Sequence, residues 1–158
     1  HEAPHVTADD VATTHRPDQV RDLVDAEALD AGLMEAVMLN HQGLVAECTG
    51  DNIFIVTGGS LKTPGSEAGI LGGLTRDAVI RLARDAGYQI AEVPLVRHDI
   101  YVADECFLTG TAAEITPIRE VDRREVGPPG PISRRVQEVY ASGVRGEIPW
   151  LRPYITQY

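Results

Sequence analysis

The stretch CFLTGTAAEITPI, from Cys106 to Ile118, decides how the rest of the chain is interpreted. An apolar run leads into LTGTAAE, Leu108 to Glu114, a turn of small and hydroxyl-bearing residues. Such a turn can present backbone N–H groups and hydroxyls to an anion. The same composition also suits an ordinary tight exit from a strand, so this stretch alone leaves both interpretations open.

A second small-residue stretch, GGLTRDA, precedes a segment with helical periodicity that ends at Gly87. Thr75 is predicted to cap this helix, with Asp77 in the first turn. The N–H groups of Leu74 and Thr75 would then be free to bind an anion. A capped helix without a ligand is the alternative, but a phosphate held by this turn and by LTGTAAE would need no lysine.

The third informative stretch is AECTGDNIFIV, residues 46–56, which places Glu47, Asp51 and Asn52 beside an apolar strand. Gly, Asp and Asn are common where a chain turns into a strand. A buried carboxylate, however, is costly unless a cation or an N–H group pairs with it. A protonated ring nitrogen would be such a partner for Glu47.

The rest of the pattern alternates short apolar runs with helices and predicts a mixed α/β fold, an antiparallel or mixed sheet forming a partial barrel flanked by helices. Residues 35–63 are expected to form an antiparallel meander with a turn at Gly58 and Gly59. The other predicted features are a helix start at 7–13, a helix at 17–31, an ordered loop at 63–74, a strand interrupted near Pro94 and a helix at 132–143. We expect one domain at 17–158, preceded by a segment, 1–16, to which no definite structure is assigned.

Composition excludes several classes of function. The net charge of −10 disfavours nucleic acid and anionic membranes as partners. No apolar run reaches the ~20 residues of a membrane span, and the first ten residues lack the features of a signal peptide. With only Cys48 and Cys106, in no metal-like spacing, we expect a cytoplasmic protein without a metal.

Three motifs together resemble one family. AECTGDNIF is similar to its E-G-x-G-E-N-L-F signature, LGGLTRDAVIRLA to its L-P-G-I-T-R motif, and IYVADECFLTGTAAEITPI to its A-D-E-V-F-x-S-G-T-A-A-E-I-T-P block. The family is the branched-chain aminotransferases, pyridoxal-phosphate enzymes of the class IV fold. The similarity extends from about Glu27 to Trp150.

The resemblance implies roles for individual residues. Glu47 would pair with the pyridine nitrogen of pyridoxal phosphate, keeping the ring protonated so that it can accept electrons. Leu74 and Thr75 would bind the phosphate, and Thr111 and Ala112 would bind phosphate and substrate carboxylate. Asp51 and Asn52 would then hold the turn that orients Glu47.

One departure from the family concerns the catalytic lysine. Counting back from Glu27 without gaps places Thr13 where the family has its Schiff-base lysine, and Asp18 where it has a tyrosine. Lys62 is the only lysine in the sequence. Threonine can neither form the imine nor move the proton, so ordinary transamination by these residues alone is not expected. His15, Asp18 and Glu47 are the acid-base candidates for lysine-free chemistry.

The resemblance covers the larger C-terminal domain of the family, without the small domain that supplies an arginine to the phosphate and covers the substrate. Three functions follow as hypotheses: half of a split transaminase, a lysine-free homologue that binds or transforms a small anionic metabolite, or a non-catalytic partner subunit. In each case pyridoxal phosphate could be lost or held non-covalently. We expect an amino or keto acid or another small anion as ligand, and a homodimer or a complementary polypeptide as protein partner.

Overall fold

The computed structural model describes Val24, residues 26–27 and 29–30, and residues 32–154. The predicted helix start at 7–13 lies outside the described residues, as does most of the predicted helix at 17–31. The described residues of that second helix are helical, and Gly32, at φ +73°, follows its end as predicted.

The strands form three sheets in the described part of the chain. Strands β1 (Val37–Leu39) and β2 (Val45–Cys48) make an antiparallel hairpin. The central sheet contains β3 (Asn52–Thr57), β4 (Ser60–Thr63), β5 (Ile90–Glu92), β6 (Glu105–Gly110) and β7 (Glu114–Pro117), in the order β5-β4-β3-β6-β7. A small hairpin pairs β8 (Glu120–Val121) with β9 (Arg124–Glu125).

Three α-helices accompany these strands: α1 (Leu74–Asp85), α2 (Arg97–Tyr101) and α3 (Pro131–Val144). Two 3-10 turns lie at Ser66–Ala68 and Pro149–Tyr154. Helix α1 connects β4 to β5, which run parallel, whereas all other strand pairs in the described residues are antiparallel. The predicted mixed α/β class is therefore confirmed, although the described strands do not close into a barrel.

The predicted meander at 35–63 is wrong in one respect. Its four strands exist, and Gly58 and Gly59 form the second turn with φ of +57° and +80°. However, β2 pairs with β1 and not with β3, so the two hairpins belong to different sheets. The turn at 49–51 separates them, and β3 pairs instead with β6, a strand from much later in the chain.

Alternation along β3 gives the central sheet two buried faces. Phe54 and Val56 face α1 and α3, and the ring of Phe54 stacks on that of Phe107 at 5.1 Å between centroids. Ile53 and Ile55 face the opposite way, into a second cluster with β2 and α2. Burial on both faces explains why this strand is almost continuously apolar.

Candidate functional site

A cleft of about 100 Å³ opens where the central sheet meets the start of α1. Its walls come from three segments that are distant in sequence: 47–52, 71–75 and 109–111. These are the segments that carry the three sequence motifs. The fold thus brings the motifs to one place.

Glu47 forms one wall of the cleft. It lies on β2 and is only 3% exposed. Its Oε2 atom accepts hydrogen bonds from the backbone N–H of Leu71, at 2.8 Å, and from Nδ2 of Asn52, at 3.2 Å. These donors offset part of the cost of burying the carboxylate.

Asn52 joins the three segments. In addition to Glu47, its Nδ2 atom contacts the carbonyl oxygen of Leu71 at 3.1 Å. The turn is closed by the N–H of Cys48, which donates to the carbonyl oxygen of Asp51 at 2.7 Å. The predicted positioning of Glu47 by this turn therefore has a direct contact from Asn52, while Asp51 contributes through its backbone.

The first turn of α1 forms the opposite wall. The prediction that Thr75 caps this helix is wrong, because the helix begins at Leu74 and the cap residue is Gly73. A Cβ at Gly73 would lie 2.2 Å from Oδ1 of Asn52, so only glycine leaves room for that amide. Thr75 instead lies in the first helical turn, whose N–H groups have no acceptor within the helix. Leu74 and Thr75 both line the cleft.

Thr109 is a cleft residue that the sequence analysis did not single out. It lies on β6 and is 1% exposed. Its Oγ1 atom has no hydrogen-bond partner among the residues that the structure describes. The available signal was the spacing in LTGT, where Thr109 and Thr111 are two positions apart and therefore share a face of the strand.

The remaining predicted site residues are placed differently. Thr111 lines the cleft, whereas Ala112 is exposed in the β6–β7 turn and is not among the cleft residues. Lys62 lies on β4, paired with Ile55 and Ala91, and does not line the cleft either. Thr13, His15 and Asp18 lie outside the described residues.

Acidic groups surround the turn that bears Glu47. Oε1 of Glu35 accepts the N–H of Thr49 at 2.7 Å. Burial, reinforced by Glu35, raises the pKa of Asp51 above its usual value. Burial also raises the pKa of Cys48, with Glu35 as the next cause. The Cys48 thiol is therefore protonated at neutral pH and does not act as a nucleophile.

The donor set in the cleft suits an anionic organic cofactor better than a metal. In the described part of the chain, no three metal-ligating side chains come together. A buried carboxylate lies at one wall, and helix N–H groups and hydroxyls lie at the other. A molecule with a protonated ring nitrogen and a phosphate would match both walls. None of the described helices is long and apolar enough to cross a membrane.

Comparisons with known proteins agree with the motifs. The sequence model of the class IV amino-transferases matches residues 4–121. A probable branched-chain-amino-acid aminotransferase of Aquifex aeolicus is 46% identical over 137 residues, covering 85% of this chain and 44% of that protein. The chain thus spans less than half the length of this relative.

Solved structures give the same result for the fold. A branched-chain amino acid aminotransferase from T.th., complexed with N-(5'-phosphopyridoxyl)-L-glutamate, matches with a TM-score of 0.84 and 40% identity, covering 88% of this chain and 48% of that one. The enzyme from Thermoproteus uzoniensis with norvaline matches with a TM-score of 0.85 and 44% identity, covering 88% and 46%.

Proposed function

Because this chain belongs to the class IV aminotransferase family and is similar to branched-chain aminotransferases, we propose that it forms the pyridoxal-phosphate-binding part of such an enzyme. The rest of the enzyme, including the reactive amine, would come from another polypeptide or from sequence beyond these residues. The observation that supports this most is the buried carboxylate of Glu47 in a cleft whose opposite wall is a helix N-terminus.

In this proposal Glu47 holds the proton on the ring nitrogen of the cofactor. Asn52 and the N–H of Leu71 fix one carboxylate oxygen, so the side chain is oriented before the ligand arrives. Preorganised charge of this kind favours a cationic ring without any rearrangement on binding. When bound, pyridoxal phosphate supplies the electron sink for chemistry at the carbon that bears the amino group.

The phosphate would be bound at the other wall. Leu74 and Thr75 offer N–H groups at the positive end of the dipole of α1, and Thr111 offers a hydroxyl from the facing turn. Thr111 and Ala112 also remain the candidates for the substrate carboxylate, since both lie in the β6–β7 turn. An amino or keto acid is the corresponding substrate class.

No described lysine lies in the cleft, and this shapes the proposal. Lys62 lies on β4 away from the lining residues, and Thr13 replaces the family's lysine by ungapped counting. Since the imine and the proton transfer both require an amine, this chain needs a complementary polypeptide for transamination. A homodimer is the other assembly that we propose to test, by measuring molar mass in solution.

The test is a titration of the purified chain with pyridoxal 5'-phosphate, followed by absorbance. We expect saturable binding that Glu47→Gln weakens about ten- to hundredfold, because a charged hydrogen bond to the ring is lost. Glu120→Gln, an exposed acid on β8, is the matched control and should bind as the wild type does. Equal affinity in all three proteins would exclude the proposed role of Glu47.

The lysine-free alternative is favoured by the same lack of a described lysine in the cleft. Under that alternative the chain binds a small anionic metabolite by itself, with His15, Asp18 or Glu47 moving protons. Adding candidate polypeptides distinguishes the two functions. Transaminase activity that appears only in a mixture supports the split enzyme, whereas ligand turnover by the isolated chain supports the alternative. A non-catalytic partner would show neither activity and would tolerate Glu47→Gln and Thr75→Ala.

A further inference from the structure

The hydroxyl of Thr109 has no hydrogen-bond partner in the described part of the chain, although the side chain is 1% exposed. Leaving a buried hydroxyl unpaired costs about 1–3 kcal/mol. Most buried polar atoms in folded proteins are paired, so each exception calls for an explanation. The explanation for Thr109 must come from its surroundings.

Strand register places Thr109 beneath the start of α1. Thr109 is directly opposite Asn52 in the β3–β6 ladder, so the two side chains lie on the same face of the sheet. On that face the amide of Asn52 lies against Gly73, the cap residue of α1. Thr109 also shares the cleft lining with Leu74 and Thr75.

The apolar packing around Thr109 does not require a hydroxyl. The next residue on the same face of β6 is Phe107, and the partner of Thr109 on β7 is Ile115. Valine has the shape of threonine without the polar atom, and it favours strands equally well. The described fold would thus be better served by valine at this position.

We propose that the Thr109 hydroxyl donates a hydrogen bond to a phosphate-type oxyanion bound at the first turn of α1. Two independent features point to this ligand: the unpaired N–H groups that begin the helix, and a buried hydroxyl without a partner at the same cleft in the described residues. The inference rests on the proposed function only in its choice of pyridoxal phosphate as the natural source of the anion. Inorganic phosphate is the simplest probe of the same chemistry.

The proposal predicts two effects of opposite sign in Thr109→Val. The ligand-free variant should unfold about 2–4 °C above the wild type, because a buried polar atom without a partner is removed. Its affinity for inorganic phosphate and for pyridoxal 5'-phosphate should fall about tenfold, because a hydrogen bond to a charged group is lost. Thr109→Ser, which keeps the hydroxyl, should restore the affinity.

Thr57→Val is the matched control, since Thr57 lies at the far end of β3 and does not line the cleft. It should leave the affinity for both ligands unchanged. The experiment measures thermal midpoints without ligand and dissociation constants by calorimetry, using inorganic phosphate and pyridoxal 5'-phosphate separately.

Two results would overturn the inference. One is unchanged phosphate affinity in Thr109→Val. The other is a lower thermal midpoint without ligand, which would show that the hydroxyl has a structural partner elsewhere in the chain. A wild type that binds phosphate through Thr109 but not pyridoxal phosphate would refute the proposed function alone. A wild type that binds neither ligand would refute both.

Discussion

Replacing Glu105 should test how the structure holds α3 against the central sheet. Glu105 is the first residue of β6 and is 4% exposed. Its Oε1 accepts the N–H of Ile132 at 3.0 Å, and its Oε2 accepts the N–H and the hydroxyl of Ser133 at 2.7 and 2.5 Å. The cap residue Gly130 has no side chain to do this, so an acid from the sheet satisfies the free N–H groups of the helix.

Glu105→Gln removes the negative charge and turns one acceptor into a donor that faces other donors. Hydrogen bonds to charged groups contribute roughly 1.5–3 kcal/mol each, and the interaction with the helix dipole adds about 0.3–1 kcal/mol. Because one oxygen remains, we expect the free energy of unfolding to fall by about 3 kcal/mol. Urea denaturation followed by circular dichroism measures this loss.

Glu138→Gln is the control for Glu105→Gln, because Glu138 is on the same helix but exposed. Its ion pair with Arg135, at 3.1 Å, is solvent-accessible on both sides and should contribute less than about 1 kcal/mol. A loss below about 1 kcal/mol for Glu105→Gln, or equal losses for the two variants, would refute the capping role.

Three further predictions concern groups that the fold constrains. Asp51→Asn should stabilise the chain near pH 7 but not near pH 3 in thermal melts, because the raised pKa of Asp51 makes its stability contribution largest below the unfolded pKa and smaller as pH rises through the folded value; a constant difference between these pH values would contradict this. Cys48 and Cys106 should react with iodoacetamide at pH 8 at least about 100-fold more slowly in the folded than in the denatured chain, since burial raises the pKa of Cys106 to about 12 and that of Cys48 well above its usual value; equal rates by mass spectrometry would count against it. Gly127→Ala should cost about 1–3 kcal/mol by urea denaturation, because φ is +82° and a Cβ would lie 2.9 Å from a backbone carbonyl oxygen, whereas Gly72→Ala, with nothing within 4 Å, should cost less; the reverse order would be inconsistent with this backbone.

Local features of the fold could be predicted from sequence because their causes are local. Gly58 and Gly59 form the predicted turn because positive φ angles favour glycine. Helix α3 begins after the proline-rich turn as expected, since Pro131 suits the first helical position. The separation of the two hairpins was missed because it depends on β6, which pairs with β3 only once the chain has folded.

The same distinction applies to the candidate site. The motifs of the cleft could be recognised, and Glu47 was identified as a carboxylate in need of a partner. The contact between Glu47 and the N–H of Leu71 could not be predicted, because it joins residues 24 positions apart. Thr109 was missed for a related reason: the lack of a partner among the described residues becomes visible only when every neighbouring atom is placed.

Hydrogen exchange measured by mass spectrometry, with and without saturating pyridoxal 5'-phosphate, tests the central claim most directly. The claim is that the cofactor binds in the cleft between Glu47 and the start of α1. The account predicts slower exchange at the N–H groups of Leu74, Thr75 and Thr111, and unchanged exchange in the β8–β9 hairpin. Unchanged exchange in the cleft segments, with protection or a covalent adduct around Lys62 instead, would contradict it.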